Sequence, residues 1–447
     1  MDPSTSRRNF LGLAAGTPLA IALAACGSSG PGSDTKASAG SAKGANAGYW
    51  YLSGPPGEGI RAAVVERWNK AHPANAVKAL PFANDDYKTK IKTAIGSGNA
   101  PTLIFTWGGG GLANYVKAGQ VEDLTDFFAK NAALKDKLFP SAFGAATIDG
   151  KPYALPFECV QPIVLFYSNK AFEKINAQPP KSWSELMALV PKFIEKKMAP
   201  FSLAGSSKWT TMMWLEFLFD RTGGPEVFDA IFKGEKNGWS HPDSIKALTM
   251  AQDLVKANGF VKGFNSITAD SNSDQALLYT GRAAMMLHGS WSYGIQKSAA
   301  KKFVESGDLG YMNFPPVDGG KGDPSNTVGN PSQYLALSSK ASAAEKETAK
   351  KFMAEGLFTD EENKAWIATG GIPIVKGTDA LYAGSPDEKY LKFVYETASN
   401  AKVFAQSWDQ ALSPTAAATL LENIAKLFQL KITPQQYATN MNAVIGT

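Results

Sequence analysis

Ten tryptophans stand in the 447-residue chain, and several lie in loops flanked by Gly, Ser or Pro instead of inside periodic apolar runs. Trp107 precedes four glycines, Trp209 follows Gly205-Ser206-Ser207-Lys208, Trp291 ends Gly289-Ser290-Trp291, and Trp408 sits in Gln406-Ser407-Trp408-Asp409. Binding groups concentrate on loops. The electron-rich face of an indole attracts the C–H face of a sugar ring, for roughly 0.5–1.5 kcal/mol per stack. These four tryptophans are therefore candidate platforms for a hydroxylated, ring-shaped ligand. Trp68, Trp183, Trp214 and Trp366 fall within helical patterns and are assigned to core. Carboxylates lie beside aromatics at Asp85, Glu158 and Asp409, so a glycosidase that works with two acids stays open on residue types alone.

Other chemistries find little support. Gly57-Glu58-Gly59-Ile60-Arg61-Ala62 matches the pattern that seats a pyrophosphate on a helix N-terminus, but Pro55-Pro56 lengthens the turn beyond what that fingerprint needs. The loop is read as one whose backbone amides face some ligand. His72, His241 and His288 are scattered and are read as capped or surface residues, not metal ligands. Beyond the N-terminal pair the only arginines are Arg61, Arg67, Arg221 and Arg282, whereas bidentate capture of phosphate or carboxylate normally uses arginine. A neutral ligand rich in hydroxyls is expected, with no cofactor. The net charge of +5 is spread along the chain without a basic run, which gives no reason to expect nucleic acid.

The elements that must position these groups alternate. Residues 49–52 form an aromatic strand; Ile60, Ala63, Val64 and Trp68 recur at helical spacing until His72-Pro73; 77–82 is a second strand; Tyr87, Ile91, Ala94 and Ile95 mark a second helix; and 102–105 is a third strand ending at Trp107. That order predicts an α/β fold with a largely parallel sheet. Capping boxes at Ser182 to Glu185 and Thr433 to Gln436 predict later helix starts.

The N-terminus reads as an address. Ser6-Arg7-Arg8-Asn9-Phe10-Leu11 resembles a twin-arginine export signal, although Gly12 stands where a basic residue is usual, so general secretion stays open. Residues 1–25 form the signal peptide. Leu23-Ala24-Ala25-Cys26 resembles a bacterial lipobox, with Cys26 as the lipidated residue, and 26–48 is a flexible tether of Gly, Ser and Ala with a reach of roughly 25 Å. Cys159 is then the remaining thiol, which forbids an internal disulfide.

Several segments together resemble the extracellular solute-binding proteins of family 1, the sugar receptors of ATP-binding-cassette importers. They are Lys151-Pro152-Tyr153-Ala154-Leu155-Pro156 running into Leu165-Phe166-Tyr167-Ser168-Asn169-Lys170; Pro180-Lys181-Ser182-Trp183; Tyr279-Thr280-Gly281-Arg282-Ala283-Ala284-Met285-Met286 with Gly289-Ser290-Trp291; and Gly370-Gly371-Ile372-Pro373. The resemblance implies a two-lobe periplasmic-binding-protein-like fold with crossover hinge strands near 158–166, 285–289 and 332–337. It implies lobe 1 from 49–160 plus 288–333 and lobe 2 from 161–287 plus 334–447.

By the same resemblance, Trp107 matches an aromatic after the third strand, Trp291 the hinge aromatic, and Trp209 a second-lobe tyrosine of the maltodextrin receptors. Glu158 or Gln161 falls near an acidic residue of the first crossing, and Asp85 near another after the second strand. Ser53 and Gly54 stand where a charged pair serves long maltodextrins, which points to a shorter ligand, and Gln406 to Asp409 look like the receptors of xylobiose, cellobiose or chitobiose. Specificity is expected from Asn84, Asp85, Glu158, Asn330 and Asp409 bonding hydroxyls. The implied protein is a monomeric, lipid-anchored receptor on the outer face of the cell membrane. It hands a disaccharide such as xylobiose to an ABC permease and has no catalysis of its own. A secreted glycoside hydrolase or lyase, or a receptor for another small solute, is the alternative.

Overall fold

Ala47, Tyr49 and Tyr51 are buried while Gly48, Trp50 and Leu52 are partly exposed, the period-two pattern that places alternate side chains on opposite faces of a strand. This strand opens the computed structural model, which describes residues 45–446. The expected tether therefore ends earlier than residue 48: Ala47 and Gly48 already pair with Val77 and Lys78, and the hydroxyl of Thr348 donates to the carbonyl of Ala45 at 2.7 Å. The signal peptide, Cys26 and the tether up to residue 44 lie outside the described residues.

The strands that build the main sheets are β1 (Ala47–Leu52), β2 (Val77–Phe82), β3 (Leu103–Thr106), β4 (Ala154–Phe157), β5 (Cys159–Ser168), β6 (Ala199–Ser202), β7 (Ala283–Gly289), β8 (Leu309–Met312), β9 (Thr327–Asn330), β10 (Gln333–Leu337), β11 (Ile372–Pro373) and β12 (Phe404–Gln406). The first sheet runs β2-β1-β3-β10-β4 and the second β12-β9-β5-β7-β6, with β8 and β11 also paired to β5. In the first sheet β1 is parallel to β2 and β3, as the alternation of strand and helix requires. Helices α1 (Gly57–Ala71), α2 (Asn84–Gly96) and α3 (Gly109–Lys117) follow its first three strands. Each turns an apolar stripe inward: Val64, Val65 and Trp68 from α1, Tyr87, Ile91, Ala94 and Ile95 from α2, and Leu112 from α3.

β5 explains the second body. Its sequence is almost continuously apolar, and its residues divide by parity: Ile163 and Leu165 enter one core, Val164 and Phe166 another on the opposite face. A strand covered on both faces has no polar side to present. The first sheet packs around a separate core that includes Leu103, Phe105, Leu155 and Leu335. Ser182 and Thr433 each accept the backbone N–H three residues on; the full capping box forms at Thr433 to Gln436, whereas the Glu185 carboxylate accepts the Lys181 N–H in place of that of Ser182. Among the described residues no helix is long and apolar enough to cross a membrane.

Two short connections pass directly between the sheets, and after packing on the first core the chain returns to the second sheet at β11. β4 passes to β5 through Glu158 alone, which takes a left-handed conformation (φ 65°); β9 passes to β10 through Pro331 and Ser332. The expected crossing at 285–289 is absent, because β7 pairs along its length with β5 inside the second sheet. The expected lobe boundaries change accordingly. Residues 288–330 carry β8 and β9 of the second sheet, whereas β10 lies between β3 and β4 of the first. Ala349, Phe352 and Met353 then follow β10 into the first core.

Candidate ligand-binding cleft

The two sheets face each other across a cavity of about 240 Å³, far more than the roughly 10–15 Å³ one water needs. The first lobe contributes the loop from Ser53 to Gly57, Asn84 at the start of α2, and Trp107 just after β3. Trp209 and Trp291 form the opposite wall, and Gln161, Asn330 and Gln333 line the hinge side, flanking the two crossings. Seven of the residues expected at the site (Ser53, Asn84, Trp107, Gln161, Trp209, Trp291 and Asn330) thus meet in one cleft.

Packing sets the poses of the aromatics. Trp107 stands edge-on to Phe105 at 5.1 Å between ring centroids. The rings of Trp209 and Trp291 lie 6.1 Å apart, tilted by 43°. His288 stands between them, 5.4 Å from each and nearly perpendicular to both. Gly289 makes this arrangement possible, since a Cβ there would fall 1.9 Å from the Trp291 ring.

His288 was expected to be capped or at the surface; it is 2% exposed. Its Nδ1 accepts the Gly289 N–H at 3.0 Å and lies 2.6 Å from the Ser292 hydroxyl, which leaves the ring proton on Nε2. Burial lowers its pKa to about 4, so the imidazole is neutral at physiological pH. Nε2 faces the buried Asp274 Oδ2 at 3.5 Å, whereas Gln275 Oε1, Asn330 Oδ1 and Gln333 Oε1 have no hydrogen-bond partner. All four residues line the cavity. A buried polar atom without a partner costs about 1–3 kcal/mol, so these atoms favour any molecule in the cleft that can hydrogen-bond to them.

Four expected site residues are placed elsewhere. Glu158 is consumed by Arg61, whose Nε and Nη2 donate to its two carboxylate oxygens at 2.6 and 2.7 Å. Arg61 also donates to the Leu52 carbonyl at 2.9 Å, and its guanidinium lies 5.4 Å over the Trp366 ring. Trp366, assigned to core from its helical spacing, is 8% exposed and still reaches the cleft wall. Asp85 sits behind the wall: one oxygen accepts from Trp209 Nε1 at 3.2 Å, the other from the Ser207 hydroxyl at 2.7 Å. Asp409 pairs with Lys88 at 3.1 Å. Trp408 is 1% exposed, stacked at 4.6 Å on Phe228 and edge-on to Phe219 and Trp239. Its helical turn points the indole into the second core, so it is no platform.

Sequence reasoning missed His288, Gln275 and Gln333. A signal existed for each: His288 adjoins the Gly-Ser-Trp segment, Gln333 begins an otherwise apolar strand, and Gln275 occupies an inward position of the helix Ser273–Tyr279. The charged lining residues are Arg61, already neutralised by Glu158, and Asp270, which leaves no free cation for a phosphate.

A family model described as bacterial extracellular solute-binding protein matches residues 53–365. The chain is 28% identical over 232 residues to a maltotriose-binding protein of Pyrococcus abyssi, covering 52% of this chain and 46% of that protein. It is 25% identical over 323 residues to a multiple sugar-binding protein of Streptococcus mutans, covering 70% and 71%. The matched region spans roughly half of several of these curated relatives. Among solved structures, one from a study of xylan utilization by the thermophilic bacterium Caldanaerobius polysaccharolyticus superposes with a TM-score of 0.81 at 30% identity, covering 90% of this chain and 100% of that one. A chitin oligosaccharide binding protein gives 0.80 at 26% identity, covering 90% and 98%.

Proposed function

The chain belongs to the bacterial extracellular solute-binding proteins, and on that footing we propose that it is the receptor of an ABC importer for a short neutral oligosaccharide, a disaccharide such as xylobiose. The observation that carries this reading is the set of unpartnered buried oxygens on Gln275, Asn330 and Gln333 beside the indoles of Trp107, Trp209 and Trp291. Sugar hydroxyls would satisfy the polar atoms while the C–H faces of the rings lie on the indoles. Ser53, Asn84 and Gln161 would add further hydroxyl contacts.

A disaccharide of about twenty heavy atoms, at roughly 0.3–0.4 kcal/mol each, would bind with about 6–8 kcal/mol, a micromolar dissociation constant. The names of the relatives and of the 30%-identical structure, which concern maltotriose, multiple sugars and xylan, agree with the ligand class. The engaged carboxylates speak against hydrolysis: Glu158, Asp85 and Asp409 all have partners, and among the described residues that line the cleft Asp270 is the one acid, whereas a glycosidase needs two. Cys26 would carry the lipid that holds the receptor on the outer face of the membrane, next to its permease.

A thermal-shift panel of neutral mono- and disaccharides tests the reading. A ligand at 100 times its dissociation constant stabilises by roughly 2.7 kcal/mol, so one sugar should raise the unfolding temperature and be recovered intact. No shift with any sugar, or enzyme-dependent cleavage of one, would sink the proposal.

A further inference from the structure

Beyond the cavity the two lobes meet along a seam. On the first lobe it consists of the start of α2 and the glycine run that opens α3; on the second, of Ser207, Trp209, Asp270 and residues 406–412. Five hydrogen bonds cross it. The Asp85 carboxylate accepts from Ser207 and from Trp209 Nε1, at 2.7 and 3.2 Å, and the Asp85 N–H donates to Asp270 Oδ2 at 3.0 Å. Lys88 pairs with Asp409 at 3.1 Å, and Gln406 Nε2 donates to the Trp107 carbonyl at 2.7 Å. Between these bonds the backbones nearly touch. A Cβ on Gly110 would lie 2.2 Å from the Leu412 carbonyl oxygen and 2.7 Å from that of Ala411. Those atoms belong to backbone and cannot swing aside as a flexible side chain would. At Gly111, on the same helix, a Cβ would meet nothing within 4 Å.

We infer that Asp85, Lys88 and Gly110 form a closing seam that governs ligand affinity without touching the ligand. Gly110 permits the approach, Lys88 and Asp409 tie it, and Asp85 is a positioning residue that fixes the Trp209 ring against the cavity. The inference rests on the cleft being the ligand site. Contacts present only in the closed arrangement add their free energy to the affinity of any ligand that selects that arrangement. The seam therefore assigns Asp85 and Asp409 a role that sequence reasoning had given to sugar hydroxyls.

The full chain carrying Cys26→Ser, Lys88→Cys and Asp409→Cys offers a readout independent of any ligand, because Cys159 is buried and a short bis-maleimide joins the two new thiols only when the lobes close. Gly110→Val in this background should slow cross-linking about tenfold, and Gly111→Val should leave it unchanged. With the two lobe cysteines restored to Lys and Asp, Gly110→Val should weaken disaccharide binding about tenfold by calorimetry, against an unchanged Gly111→Val control. Equal cross-linking of the two valine variants overturns the seam. A difference in cross-linking with no sugar bound by the unmodified protein keeps the seam and overturns the sugar reading instead. Should Gly110→Val not fold, Asp85→Ala adds no bulk and must itself slow cross-linking; an unchanged rate overturns the inference.

Discussion

The Nε2 of His288 lies 3.5 Å from the Oδ2 of Asp274, with the two side chains 3% and 1% exposed. Burial moves the two groups in opposite senses, His288 down to about 4 and Asp274 up to about 7. Between pH 4 and 6.5 the unfolded chain holds more protons at the histidine, so that group's contribution to stability rises with pH. Over the window from 3.8 to 7 the folded chain holds more at the aspartate, so its contribution falls as pH rises. The two slopes oppose each other. Asp274→Asn leaves the histidine limb alone, and its stability by chemical denaturation should climb from pH 4 to 6.5 more steeply than that of the wild type. Parallel profiles would show that the pair does not titrate as described.

The tryptophans separate into two classes that one experiment distinguishes. Trp291→Ala should weaken sugar binding about tenfold with little change in unfolding temperature, because it removes a stacking face from the cleft wall. Trp408→Ala should cost about 3–5 kcal/mol of stability, since it empties a site packed by Phe219, Phe228 and Trp239. Calorimetry and denaturant unfolding on both variants check the contrast.

Arg61 and Glu158 act as a unit. Glu158→Gln strips the guanidinium of its buried counter-charge and should destabilise by about 3–5 kcal/mol, whereas Arg61→Met with Glu158→Leu removes both charges and should cost clearly less. Equal losses in denaturant unfolding would contradict a buried pair in which each charge depends on the other.

The amides at the second crossing should decide affinity. Gln333→Ala removes an acceptor that a ligand hydroxyl would meet, and the expected loss of about 1–3 kcal/mol corresponds to roughly 5- to 150-fold in the dissociation constant. Titration calorimetry with the sugar identified by thermal shift gives the answer.

Cys26 provides a test away from the cleft. Exported wild-type protein should incorporate labelled palmitate and sediment with membranes, and Cys26→Ala should do neither. Label in both forms would place the lipid elsewhere.

Wherever local pattern is enough, the sequence was decisive. Alternation at Ala47 to Leu52, helical spacing from Val64 to Trp68, the Ser182 and Thr433 caps and the loop setting of Trp107 and Trp291 depend on neighbours close along the chain, and each reads directly into an element or a half-buried ring, whereas Trp209 opens the helix Trp209–Gly223. Long-range pairing had no such signature. Whether β9 or β10 joins the first sheet depends on two residues between them, and both strands are buried throughout with no alternating pattern to assign either to a sheet, so their exchange between lobes was invisible. The same holds for Asp85, Glu158, Asp409 and Trp408: residue type and flanking sequence suited all four to a sugar site. Only the fold brought Arg61 to Glu158, Lys88 to Asp409 and Phe228 onto Trp408, and set an apparently ordinary His288 in the cleft wall against Asp274. Type and spacing determine which chemistry is available; a partner distant along the chain, 97 residues for Glu158 and 321 for Asp409, determines whether a given side chain is free to use it.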